Sequence, residues 1–115
     1  MIKQDQASKG GLSDLYRRLL RNNQEAFALG QYDAAYHVLM AAMHCAQTLN
    51  DATSLTEIEH IASQQLKWID THCPEYPHST QSASKRGHLS IYENLLRQAK
   101  TRVRMIQRDL ELKHR

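Results

Sequence analysis

Apolar residues recur at three- and four-residue spacing along most of this chain, in stretches far longer than a strand. That period puts one side of a helix against a core and the other in water. Only two prolines and four glycines interrupt it, too few for the many turns of a sandwich or barrel. With 115 residues, 41% apolar and 23% charged, the expectation is one soluble all-α domain.

Four helices are predicted. The first runs from about Ser13 to Leu29, with Leu12, Leu15, Leu19, Ala26 and Phe27 as its stripe and Tyr16 and Leu20 on the flanks. Ser13 is its expected cap, and Gly30 ends it by accepting positive φ. The second, Tyr32 to Asn50, has a wide face of Ala35, Val38, Leu39, Ala42, Cys45, Ala46 and Leu49. The third, Ser54 to Thr71, starts at a capping-box pair, Ser54 and Glu57. It buries Leu55, Ile58, Ile61, Ala62, Leu66 and Ile69, with Trp68 at the edge, and Pro74 stops it. The fourth, Ser90 to Lys113, repeats the Ser-x-x-Glu cap. Its seam of Tyr92, Leu95, Leu96, Ala99, Val103, Ile106 and Leu110 is nearly heptad. Residues 1–11 read as a flexible tail, residues 12–115 as a single domain, and residues 73–87 as a long, mobile loop. The pattern fits a four-helix array or bundle.

Residues 26–46, AFALGQYDAAYHVLMAAMHCA, resemble the middle of a tetratricopeptide repeat. Gly30, Tyr32 and Ala35 match its inter-helix turn, and Ala42 its later small residue. The resemblance covers about one repeat, residues 16–49. It departs from the family at Leu19 (the tryptophan position), Asn23 (the glycine position) and Gln47 (the closing proline). It implies a TPR-like hairpin extended by a second helix pair. It also implies a partner-binding inner face made of Arg17, Leu20, Arg21, Gln24 and Phe27. The competing reading puts Leu20 and Phe27 in the core and leaves the arginines solvated. Asn23 falls inside the apolar stripe, where a buried amide must find partners.

The chemistry of catalysis is sparse. No HxxxH or HExxH occurs, and His37 and His44 are seven residues apart, too far along a helix to share a metal. A composite site from His60, His72 and Cys73 would depend on folding that the sequence does not show. There is no GxSxG, and glycines at 10, 11, 30 and 87 cannot form a phosphate loop. Glu57 and Glu59 do not face one another on a helix. No catalytic residue, metal or cofactor is therefore assigned, and a non-enzymatic role is expected.

Charge is uneven. The net charge is +3, yet residues 85–115 carry nine Lys/Arg against three Asp/Glu. At about 100° per residue, Arg97, Lys100, Arg104 and Arg108 line one side of the last helix, an anionic-partner stripe or a solvated ridge. Little aromatic interleaving accompanies it. Two cysteines without a CxxC pair read as reduced thiols, and no signal or membrane-spanning segment is evident, so a cytoplasmic protein is expected. The leading expectation is a protein-interaction module or small adaptor that binds a protein or peptide in a helical groove. A self-associating helical protein, as a homodimer, is the alternative. Nucleic acid on the basic stripe is the least favoured partner, and no membrane is expected.

Overall fold

A computed structural model describes residues 4–114, with side chains from Gly10 to His114. The chain is all-α, as the periodicity dictates. Its helices are α1 (Gln4–Ala28), α2 (Tyr32–Leu49), α3 (Ala52–His72), α4 (Thr80–Lys85) and α5 (Ile91–Lys113). Proximity in space defines two compact units, Met1–Leu55 and Thr56–Arg115.

In the first unit α1 packs on α2. α1 begins nine residues before the expected Ser13 cap. Residues 4–11 of the expected tail are helical, and residues 1–3 lie outside the described residues. Gly10 and Gly11 cost about 1 kcal/mol each in a helix, and neither blocks it sterically as proline would. The buried line of α1 is Tyr16, Leu20 and Asn23, continued by half-buried Phe27. The expected stripe is thus rotated: Leu15 is 38% exposed, while its flanks Tyr16 and Leu20 form the core.

Gly30 ends α1 at φ +76°. Its N–H donates to Phe27 O (3.0 Å) and the Gln31 N–H to Ala26 O (2.9 Å). This is the paired closure that a left-handed residue permits. Asn50 closes α2 the same way at φ 53°. Ala35, Leu39, Ala42, Met43, Cys45 and Ala46 are the buried residues of α2.

α3 starts at Ala52, so its cap is Asp51 and not Ser54. Asp51 Oδ1 accepts the Thr53 N–H (3.1 Å) and Oδ2 accepts the Ser54 hydroxyl (2.7 Å). Ser54 sits one turn inside, where its carbonyl accepts the Tyr16 phenol (3.1 Å). Asp51 wins because its carboxylate satisfies two donors at once.

The second unit buries Ile58, Ala62, Leu66, Ile69, Ala83, Tyr92, Leu95, Ala99 and Ile106. The segment expected as a mobile loop is a built connection. It holds α4 and a set of short bonds. Asp70 of α3 accepts both the N–H (2.8 Å) and the hydroxyl (2.7 Å) of Thr80. Ser79 and Ser82 hydroxyls donate to Pro74 O (2.6 and 2.8 Å). The Ser90 hydroxyl donates to His78 O (2.6 Å), and Arg86 reaches Pro77 O. The Ser90–Glu93 capping box forms as expected. The α5 seam is buried at Tyr92, Leu95, Ala99 and Ile106, then emerges: Leu110 is 49% exposed.

Candidate functional site

The expected partner face of α1 divides in the structure. Leu20 is only 7% exposed and belongs to the core, so it is removed from that face. Phe27 is half-buried, with its ring 5.0 Å from that of Tyr32 at the base of the hairpin. Both rings are taken up in closing α1 onto α2. Arg17, Arg21 and Gln24 are exposed.

What replaces the expected face is more cationic. Asp14, Arg17, Arg18 and Arg21 line one shallow depression on α1. Their spacing of three, one and three residues puts all four on one side of a helix. The Arg17 guanidinium lies 5.7 Å from the Tyr16 ring, which helps orient it. Arg18 was legible in the sequence by spacing alone. It is passed over when the stripe is centred on Leu15 and Leu19, because that choice puts Arg18 at the border of the buried face. Three guanidiniums facing one acid leave a local positive excess. Planar forks of this kind suit carboxylates.

Asn23 resolves as a structural group. It is fully buried, and its Nδ2 donates to Ala35 O at 2.7 Å. It ties the line of α1 to the first turn of α2, and it leaves no amide for a ligand.

In the second unit Arg97, Lys100, Arg104 and Arg108 are all exposed, as a solvated ridge or a binding stripe would be. Lys100 Nζ lies 3.8 Å from Glu59 Oε1 of α3. These two, with Thr56, His60, Ser63 and Leu96, line a polar cleft. A second depression is formed by Gln64, Lys67, Trp68, Thr71 and His72. The sequence placed Trp68 at the edge of a buried face. It is 41% exposed, stacked on His72.

Among the described residues no three His, Cys, Asp or Glu side chains converge as a metal site would need. Both cysteines are free thiols. Burial pushes the Cys45 thiol up from its ordinary value, so it stays protonated near neutrality. The Tyr36 phenol is raised for the same reason. Neither is poised as a nucleophile or base. No helix among the described residues is long and apolar enough to cross a membrane. Comparison of the chain with protein-family models, curated proteins and solved structures finds no match.

Proposed function

We propose that this chain is a non-enzymatic interaction module, and that the cationic face of α1 docks an acidic segment of a protein partner. One observation carries the reading: Arg17, Arg18 and Arg21 stand together around one depression, with exposed Gln24 beside them. The reverse side of the same helix is fixed by Tyr16, Leu20 and Asn23. A helix held so firmly from behind presents its charged face with little ordering cost. The sequence resemblance to a tetratricopeptide repeat at Gly30, Tyr32, Ala35 and Ala42 supports a peptide as the partner. Two free thiols, one of them buried, suit a reducing cytoplasm.

A short Asp/Glu-rich peptide is the probe. The chain should bind it saturably, and Arg17→Glu with Arg21→Glu should weaken binding at least about tenfold, since like charges then face each other. Circular dichroism should be unchanged, because both side chains are exposed. Equal binding by the double variant overturns the assignment.

Self-association is the second reading, favoured by the emergence of the α5 seam at Leu110. A heptad-like stripe that runs past its cover can pair with a copy of itself. Sedimentation should then give a dimer mass that Leu110→Glu converts to a monomer. A monomer for the unaltered chain at high concentration removes this reading.

A further inference from the structure

Among the described residues, three of the seven exposed large apolar side chains lie in the last turns of α5: Met105 (50% exposed), Leu110 (49%) and Leu112 (57%). They do not share a side. Leu110 continues the seam that is buried at Ala99 and Ile106. Met105 and Leu112 are seven residues apart, so they align to within about 20°, whereas Leu110 lies about 140° round the helix from Met105. α5 therefore carries a second apolar line, two turns long, that faces water.

Charge borders this line in a definite order. Arg104 precedes Met105, and Glu111 precedes Leu112. Both are exposed, and their spacing of seven puts them on the same flank. With Met105 and Leu112 as a positions of a heptad, Thr101 and Arg108 are d positions. Arg104 and Glu111 are then g, and Arg102 and Asp109 are e. Asp109 and Glu111 are the only acids of α5 after Glu93. Each thus shares its flank with an arginine seven residues earlier.

We infer that α5 pairs through this outer line with α5 of a second copy, antiparallel, about a two-fold axis between residues 106 and 107. The inference rests on the self-association reading and assigns the contact to a face distinct from the Leu110 seam. Turning a copy end over end keeps each flank on its own side, so g meets g and e meets e. The register that sets Met105 beside Arg108 of the copy, and Leu112 beside Thr101, brings Arg104 to Glu111 and Asp109 to Arg102. Symmetry makes each pair twice. Arg108 lays its aliphatic stem on Met105 of the copy and keeps its head in water. A parallel pair would set g against e five residues on, and so Arg97 against Arg102. An acidic peptide or a nucleic acid would meet Asp109 and Glu111 with like charge and leave the apolar line unused. The fitting partner is apolar at heptad spacing and carries the two charges in reverse order, as the turned copy does.

Sedimentation of the full chain should show a dimer that is half-formed on the order of 100 µM, the weakness expected of so small a contact. Arg104→Glu sets acid against acid at two places, and Glu111→Arg sets cation against cation. Each should weaken dimerisation at least about tenfold. Mixing the two variants should restore the dimer, because one chain then offers two acids and the other two cations. Arg104→Glu with Glu111→Arg in one chain should restore it as well. A fold merely damaged by substitution gives no such rescue. Met105→Ser with Leu112→Ser should also weaken the dimer about tenfold, with circular dichroism unchanged because both side chains are exposed. A dimer that ignores both charge reversals overturns the inference, and so does a mixture that stays monomeric. If Leu110→Glu dissolves a dimer that the reversals leave intact, self-association stands and its contact lies on the seam. A monomer at about 500 µM removes self-association and this inference together.

Discussion

Asn23→Asp is expected to destabilise the first unit by about 3–5 kcal/mol near neutral pH, the scale set by an uncompensated buried charge. The shape of the side chain is kept, so the whole effect is electrostatic. Asn23 is fully buried and its Nδ2 donates to Ala35 O at 2.7 Å. In the variant an oxygen faces that carbonyl, acceptor against acceptor, with a negative charge taken out of water. A native domain has only about 5–15 kcal/mol to lose, so the melting temperature should drop steeply. The pH dependence has a definite sign. Burial raises the new carboxyl's folded pKa above its unfolded value of about 3.9. Between those two values the folded state binds the proton more tightly. The deficit is therefore full above the folded pKa and shrinks as the pH falls towards the unfolded one. The protonated acid can also donate to Ala35 O again. Asn23→Leu should cost less, about 1–2 kcal/mol, because the Ala35 carbonyl keeps its helical partner. Thermal unfolding of both variants at two pH values checks this. A variant Asp that is no worse than Leu at pH 7 would show that the site is wet.

Asn23 also marks where sequence reasoning succeeds and where it stops. Its place among apolar neighbours announces a buried amide that needs a partner, and the partner exists. Which carbonyl it meets depends on the register of two helices, which periodicity leaves open. The same ambiguity misplaced the stripe of α1. Leu12, Leu15 and Leu19 look like a seam by hydrophobicity, but Tyr16 and Leu20 lie about one residue position round the helix and point at α2. Tyr16 is held there by its bond to Ser54 O, 38 residues away. No local pattern contains that bond. Gly30 was legible because a left-handed helix end is a local event. Trp68 could be placed at the edge of a buried face from spacing, whereas the stacking of His72 upon it depends on side-chain rotamers that periodicity leaves open. Arg17, Arg18 and Arg21 share one side by spacing alone, and Arg18 is passed over because a stripe centred on Leu15 and Leu19 sets it at the border of the buried face.

The connection from α3 to α5 yields the second large effect, at Ser90. Its hydroxyl is fully buried and does two jobs: it donates to His78 O at 2.6 Å and accepts the Tyr92 N–H at 3.1 Å. Its own N–H is met by Glu93 Oε1 at 3.0 Å. Ser90→Ala strands a carbonyl and an N–H together, each worth about 1–3 kcal/mol when left without a partner. A loss of about 3 kcal/mol is expected, above the usual cost of a helix cap, because this cap also anchors a loop twelve residues back. Ser13→Ala is the matched control. Ser13 offers the same cap residue in the sequence but lies exposed in the middle of α1, so it should change stability by no more than about 0.5 kcal/mol. Chemical denaturation gives both values. Hydrogen exchange then locates the damage: faster exchange at Tyr92 and around His78 in Ser90→Ala, with α2 unaffected. The stretch 73–87 is rich in serine and threonine, which on residue type alone reads as a mobile loop. In the fold those short hydroxyls, with that of Ser90, close bonds over five to twelve residues, to Pro74, Asp70 and His78. If Ser90→Ala proved as harmless as Ser13→Ala, the bonds would be incidental and the mobile-loop description would stand.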